Sequence, residues 1–263
     1  MGKIELQNIC FQYDGGDSPT LENINLSINT GEFVCVLGTS GCGKSTLLSI
    51  LCGLQQPTSG KLLIDEKEIT GPGSERGVVF QHYSLFPWLT AKENVVFGIK
   101  QARCQLSKKE TNEIAESYLL KVGLEGFKNN KPAQLSGGQQ QRVAIARALA
   151  MSADILLLDE PFGAVDTRNR RTLQKLVCDL HDEEKKTFIF VTHDVEEAIL
   201  LADRIVFMMP HQIYRIIDVN LPKPRDYEHI RNNEEFLSLR KMLIDLFYEK
   251  YKGFTYEPME AML

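Results

Sequence analysis

Gly38-Thr39-Ser40-Gly41-Cys42-Gly43-Lys44-Ser45 fits the pattern GxxxxGK[ST]. It lies between an apolar run, Phe33-Val34-Cys35-Val36-Leu37, and a helical stretch that opens with Thr46-Leu47-Leu48 and closes with Ile50-Leu51. A strand, a Gly-rich turn and a helix in that order make a phosphate cradle. The glycines let consecutive backbone N–H groups curl round phosphate oxygens, and the helix N-terminus adds a favourable dipole. Lys44 supplies a point charge for the β- and γ-phosphates and Ser45 a hydroxyl for Mg²⁺, with the cradle running from Gly38 through Thr46. A flexible Gly-rich surface turn would need neither the strand before it nor the helix after it.

Outward from this loop, further short runs are apolar throughout: Val78-Val79-Phe80, Ile155-Leu156-Leu157-Leu158, Phe188-Ile189-Phe190-Val191 and Ile205-Val206-Phe207-Met208. Such runs suit strands buried on both faces of a mostly parallel sheet. Residues 3–12 and 21–28 alternate instead and read as antiparallel strands, with Asp14 to Pro19 as their turn. The fold class is therefore α/β, with a mostly parallel sheet and an antiparallel β annex near the N-terminus. A helical insertion occupies about 90–150. Thr90-Ala91-Lys92-Glu93 and Ser107-Lys108-Lys109-Glu110 match the capping box, and Ile114, Tyr118, Leu119 and Val122 form an apolar stripe ending at Gly123. The pattern lapses at Leu221-Pro222-Lys223-Pro224-Arg225, where two prolines oppose regular structure. A last amphipathic helix carries Phe236, Leu239, Leu243 and Leu246 on one face. The expected division is 1–220 as the main domain and 221–263 as a short helical extension.

The chain has 263 residues, 43% apolar and 25% charged, with a formal net charge of −5. An acidic balance opposes a protein whose main task is gripping nucleic acid. No stretch approaches the roughly 20 apolar residues that span a bilayer, and Met1 to Glu5 open no signal-peptide core, so any membrane role is expected to be peripheral. The six cysteines include no CxxC pair, which fits a reducing cytoplasm better than a disulfide framework. Cys178 and His181 have helical spacing, but no second half-site accompanies them.

Ile155-Leu156-Leu157-Leu158 emerges into Asp159-Glu160. Alone, that pair reads as a chain exit to solvent. Beside a phosphate loop, Asp159 reads as the holder of the Mg²⁺ shell and Glu160 as the base that polarises a water for in-line attack. Leu135-Ser136-Gly137-Gly138-Gln139 opens the strong helical stretch Gln140 to Ala150. It reads either as a second anion cradle at a helix N-terminus or as an ordinary cap with a Gly turn.

Taken together, these motifs resemble the ATP-binding subunit of an ABC transporter over roughly residues 1–220. Gly38–Ser45 matches Walker A, Ile155–Glu160 Walker B, and Leu135–Gln139 the LSGGQ signature. Gln81 resembles the Q-loop glutamine, a γ-phosphate and Mg²⁺ sensor. Gly163-Ala164-Val165-Asp166 resembles the D-loop, with Val165 where Leu is usual, and Asp166 is its acidic residue. His193 in Val191-Thr192-His193-Asp194 matches the switch histidine, and Tyr13 the aromatic that stacks on adenine. From pattern alone His193 also reads as a structural histidine, Tyr13 as a core strand aromatic and Gln81 as a loop polar residue.

The resemblance implies a P-loop NTPase core of RecA-like type, ATP with Mg²⁺, and an ATPase active as a head-to-tail dimer. Ser136, Gly137, Gly138 and Gln139 of one copy would complete the site built on Lys44 and Ser45 of the other. It also implies two integral membrane permease subunits and, indirectly, an extracytoplasmic solute-binding protein, with the chain at the cytoplasmic face of the membrane. Leu85-Phe86-Pro87-Trp88-Leu89-Thr90 and the Pro-rich strap resemble importers for nitrate, sulfonates, taurine or thiamine precursors. Phe86 and Trp88 read equally as interface and as core. Two rival classes stand beside this one: a soluble ABC ATPase such as one serving iron–sulfur assembly, and a nucleotide sensor that does not hydrolyse.

Overall fold

The computed structural model describes residues 2–163, 165–223, 225 and 227–249. The chain begins with β1 (Ile4–Phe11), β2 (Leu21–Ile28) and β3 (Phe33–Gly38), then enters helix α1 (Lys44–Leu51). It returns through β4 (Ser59–Ile64), β5 (Lys67–Glu68) and β6 (Arg76–Val79) before three helices, α2 (Ala91–Ala102), α3 (Lys108–Lys121) and α4 (Gly137–Ala150). The second half alternates: β7 (Ile155–Asp159), α5 (Thr167–Glu184), β8 (Thr187–Thr192), α6 (Val195–Leu201), β9 (Arg204–Met209) and β10 (Gln212–Asp218). The short α7 (Tyr227–Ile230) and the longer α8 (Glu234–Glu249) follow.

Two sheets result. One has the order β10-β9-β3-β8-β7-β6, parallel from β9 to β6 with β10 antiparallel at its edge; the other, β2-β1-β4-β5, is antiparallel. The doubly apolar runs find their explanation here. Phe33, Cys35 and Leu37 of β3 enter the core beneath the helices, while Val34 and Val36 enter the core shared with the annex and α1. β7, β8 and β9 divide in the same way, Leu156, Phe188, Ile205 on one side and Leu157, Ile189, Val206 on the other. Each fully buried side chain of this size is worth about 1.5–3 kcal/mol relative to exposure, so the sheet is the stable frame of the molecule.

Both expected capping boxes form. Thr90 Oγ1 accepts from the Glu93 N–H at 3.2 Å and Ser107 Oγ from the Glu110 N–H at 3.2 Å, with each glutamate returning to the cap N–H at 2.8 Å. These bonds hold both carboxyls below their ordinary range. The face of α3 differs from the expected stripe. Thr111, Ala115 and Leu119 are its buried positions, with Val122 beyond its end, while Ile114 and Tyr118 are half-buried. Tyr118 is drawn outward because its hydroxyl donates to Glu184 at 3.2 Å. The annex is wider than the alternation of β1 and β2 foretold. β4 pairs with β1 and β5 with β4, elements masked in the sequence by Gly60 and by a two-residue turn at Asp65-Glu66, both with positive φ.

On the amphipathic C-terminal helix, Phe236, Leu243 and Leu246 of α8 are buried and Leu239 is half-buried. The Pro224 part of the expected strap, the Ala164 part of the expected D-loop, and residues 250–263 lie outside the described residues. No described helix is long and apolar enough to cross a membrane.

Candidate functional site

Because β3, β8, β7 and β6 are parallel neighbours, their C-terminal ends open on one edge. Leu37 is level with Thr192, Asp159 with Val191, and Val79 with Leu158. The loops that leave this edge carry Gly38–Ser45, His193, Glu160 and Gln81. This is the crevice where open α/β sheets bind ligands.

The phosphate loop is a tight nest. Gly41 and Gly43 have φ of 76° and 105°, values that L side chains rarely adopt. Gly43 is also the N-cap of α1, and no side chain caps the helix. A Cβ there would meet Leu21 Cδ2 at 2.7 Å and the Thr20 carbonyl oxygen at 3.1 Å. The first intrahelical bond is from the Leu47 N–H to the Gly43 carbonyl at 2.8 Å, so the N–H groups of Lys44, Ser45 and Thr46 face outward as donors. Lys44 is buried, its Nζ donating to the carbonyls of Gly38 at 2.8 Å and Thr39 at 3.0 Å. An ammonium has three donor protons, so one remains for an anion in the nest. Tyr13 stands at the rim. It is exposed, its hydroxyl lies 3.1 Å from Thr46 Oγ1, and its ring meets Phe11 edge-on at 4.8 Å.

Asp159 is the last residue of β7 and half-buried. Burial first and the neighbouring Glu160 second raise its carboxyl above the ordinary range, against the pull of Lys44. A hard oxygen donor starved of solvent beside a second carboxylate, within the field of Lys44, suits Mg²⁺. Glu160 adopts φ 41°, fixed by its N–H to the Val191 carbonyl at 3.0 Å, and the Gly163 N–H returns to its carbonyl at 3.1 Å. Its Oε2 lies 3.1 Å from Nδ1 of the exposed His193. A Cβ on Gly163 would stand 3.5 Å from Gln81 Nε2, which places Gln81 beside the same turn. β6 itself ends at Val79, two residues before Gln81.

Ser136 to Gln139 lies apart from this cluster. Ser136 caps α4, accepting from the Gln139 N–H at 3.3 Å while Gln139 Oε1 accepts from the Ser136 N–H at 2.9 Å. The residues that read either as cradle or as cap are thus a full capping box, and the Ser136 hydroxyl keeps its own proton to donate. The polar cavity in front of them, about 260 Å³, is lined by residues such as Gly123, Gly138, Arg142 and Asn169, with none from Gly38–Ser45. Asp166 caps α5, accepting from the Asn169 N–H at 3.1 Å and from Asn169 Nδ2 at 2.7 Å, while Val165 is buried.

The family model described as "ABC transporter" matches residues 21–163. The chain belongs to the ABC transporter family.

Among similar proteins, a nitrate import ATP-binding protein of Synechocystis sp. is 47% identical over 229 residues, 84% of this chain and 85% of that one. A bicarbonate transport ATP-binding protein of Synechocystis sp. is 42% identical over 253 residues, 94% of this chain and 90% of the other. A solved ATP-binding cassette, in a dimeric post-hydrolysis state with ADP and Pi, superposes with a TM-score of 0.74 at 38% identity, covering 83% of this chain and all of that one. This protein is thus an ABC-type ATPase that binds ATP.

Sequence reading left several parts of the ABC ATPase site unseen. Asn94, fully buried on α2, accepts from the Phe86 N–H at 2.8 Å and donates to the carbonyls of Phe86, Leu89 and Thr90. It shapes the loop that follows Gln81; the available signal was a polar residue on a face otherwise occupied by Ala91 and Val95. Arg147 of α4 donates to the carbonyls of Ser84 and Tyr83 at 2.8 and 3.2 Å, tying the signature helix to the same loop. That loop presents Trp88, 66% exposed, beside the half-buried Phe86 at 5.6 Å, with Phe97 against Phe86 at 4.5 Å. The choice between core and surface is therefore decided for Trp88. A larger cavity, about 530 Å³, lies away from the phosphate loop between α5, α6 and the residues Lys223, Arg225 and Tyr227 to His229, and is lined in part by Cys178 and His181.

Proposed function

We propose that this ABC ATPase powers import of a small solute, of the nitrate, sulfonate, taurine or thiamine-precursor kind, from the cytoplasmic face of the membrane. The observation that carries the catalytic part is the convergence at one sheet edge of Lys44, Asp159, Glu160 and His193, with Glu160 and His193 at 3.1 Å. Gly38 through Thr46 cradle the triphosphate, with Lys44 on the β- and γ-phosphates and Tyr13 under the adenine. Ser45, Asp159 and Gln81 would hold Mg²⁺, which would neutralise phosphate charge. Glu160 takes the proton of the attacking water, His193 orients the γ-phosphate, and Gln81 reports its presence.

The signature residues serve a second copy of the chain. The cavity in front of Ser136, Gly138 and Gln139 is lined by no residue of the Lys44 loop, which supports completion of each site by the partner. ATP then holds two positively polarised cradles together, and loss of the γ-phosphate releases them. Asp166 lies on that dimer face. Residues 1–220 form the ATP-binding unit and 221–263 an appendage. The aromatic patch of Phe86, Trp88 and Phe97 is the docking surface for two integral permease subunits, which receive solute from an extracytoplasmic binding protein; relatives named for nitrate and bicarbonate support an anionic cargo.

Two measurements test the reading. Lys44→Ala is expected to weaken equilibrium ATP binding at least about tenfold through loss of a charge-assisted contact, and unchanged affinity would count against the cradle. Purification from membranes is expected to bring two integral subunits with the chain, and consistent isolation without them refutes the transport assignment.

A further inference from the structure

His193 projects into solvent, and among the described residues its side chain is hydrogen-bonded to Glu160. Its position therefore depends on the backbone of the turn that bears it. On one side of it, Thr192 ends β8; on the other, Asp194 begins the cap of α6. Thr192 Oγ1 accepts from the Asp194 N–H at 3.1 Å, closing the turn around His193, and donates to Glu197 Oε2 at 2.5 Å. Glu197 is buried, and its other oxygen accepts from Gln174 Nε2 of α5 at 3.0 Å. Asp194 Oδ1 accepts from the N–H groups of Glu196 and Glu197 at 2.9 and 3.1 Å, so the same turn of helix is held from both ends.

The outer side of α6 is fixed as well. Glu196 accepts from the Tyr227 hydroxyl and from Arg240 Nε, each at 2.7 Å. The buried Arg225 donates to the carbonyls of Ile199 and Ala202 at the helix end. Helix α6 is thus a post between the C-terminal extension and the nucleotide edge, and among the described residues Glu197 is the α6 side chain hydrogen-bonded to the strand end that carries the His193 turn. A buried carboxylate is costly even when fully hydrogen-bonded, and a well-packed apolar residue would hold α6 in place at least as well. What such a residue could not do is hold the Thr192 hydroxyl and the Gln174 amide at once.

We propose that Glu197 is a positioning residue that sets the His193 turn for hydrolysis and couples it, through Gln174, to the helix that begins at Asp166. The proposal rests on the reading of His193 as a hydrolytic residue and adds the device that places it. Through Gln174, a displacement of α5 moves the Thr192 hydroxyl, so the helix capped by Asp166 and the histidine turn shift as one.

The test is a double-mutant cycle on purified protein with ATP and Mg²⁺, reading kcat, KM and the thermal midpoint. Thr192→Val, which keeps side-chain volume, and Glu197→Ala are each expected to lower kcat about tenfold with KM for ATP within about twofold, the range of a misplaced acid–base group. Glu197→Gln is expected to recover most of kcat, since Gln174 can turn its amide to offer Oε1 while Thr192 keeps its acceptor. In a His193→Ala background, Thr192→Val is expected to cause no further loss. Multiplicative losses in that background, or wild-type kcat for Thr192→Val, overturn the proposal. Wild-type kcat for His193→Ala alone overturns instead the underlying reading of His193, so the two failures are separable.

Discussion

Replacing Glu160 by Gln tests the base assignment because it removes charge while keeping shape. The backbone that places Glu160, with its N–H on Val191 and its carbonyl under Gly163, makes no use of the carboxylate. The side chain's bond is to His193, which is 62% exposed, and a polar contact so open to solvent is worth about 0–1 kcal/mol. The fold is therefore expected to be unaffected within that margin. Turnover is another matter, since a positioned general base contributes about 10²–10⁴-fold, or about 3–5 kcal/mol of barrier.

The neighbour sharpens the expectation. The Asp159 carboxyl is raised by burial and then by the Glu160 charge. Neutralising Glu160 removes one of these causes and lets Asp159 ionise more readily, so Mg²⁺–ATP binding is expected to hold or tighten while hydrolysis falls at least about a hundredfold. An ATP-dependent dimer should then accumulate. Phosphate-release kinetics, equilibrium binding of ATP with Mg²⁺ and light scattering read the three effects. Release within about threefold of wild type refutes the base, and weakened binding refutes the electrostatic link between the two carboxylates.

Gly43→Ala should cost about 2–4 kcal/mol of stability from positive φ and the Leu21 contact, together with most of the nucleotide affinity, read by thermal unfolding and by titration with ATP; an unchanged midpoint would show that the cradle is not built as described. His181, edge-on to Phe33 and Phe188 with Nε2 3.1 Å from the Gly31 carbonyl, has its pKa lowered first by burial and then by Lys223, against Asp203 and Asp182. The unfolded chain therefore binds this proton first, so the stability contribution is complete above about pH 6.5 and is lost as pH falls toward the folded value. Between pH 7 and 5 the unfolding midpoint should drop less in His181→Phe than in wild type, and equal slopes would contradict this. Trp88→Ala should leave stability within about 0.5 kcal/mol and ATP hydrolysis by the isolated subunit intact, yet reduce solute uptake by the assembled transporter; undiminished uptake would remove Trp88 from the docking surface.

The parallel core was legible because its physics is local to each strand. A run such as Phe188-Ile189-Phe190-Val191 has no polar face to expose, and only a sheet covered on both sides accommodates it. Capping boxes at Thr90 and Ser107 were equally local, a matter of one oxygen and an N–H three residues on. What escaped the sequence was set by distant partners. β4 and β5 are strands because β1 offers a free edge, not because Ser59 to Glu68 has strong β character. Thr111 of α3 is buried where an apolar count favours Ile114, since its hydroxyl is satisfied by the Ser107 carbonyl at 2.9 Å. In the site, the phosphate loop was readable from spacing. Glu197 and Gln174 were not, because their roles come from meeting each other 23 residues apart.

The contrast between helix starts explains why the nucleotide edge is reactive at all. Helices α2, α3 and α4 each close their first turn with a side-chain oxygen, a contribution of about 1 kcal/mol apiece. Helix α1 forgoes it. Gly43 has no side chain to offer, and its φ of 105° excludes the residues that would. The Lys44, Ser45 and Thr46 N–H groups therefore remain available, so an anion that fills the nest gains what the cap would have provided, and it gains this in the bound state only. At α4 the opposite choice is made without losing a donor. Ser136 satisfies the Gln139 N–H through a lone pair and keeps its hydroxyl proton, so that end is already ordered before any phosphate arrives. An uncapped cradle gives affinity that depends on the ligand, and a capped one gives a preformed face at little ordering cost. A triphosphate held between one of each would bind first to the chain that carries Lys44 and only then recruit the preordered signature of its partner. That order suits a switch in which nucleotide binding precedes closure.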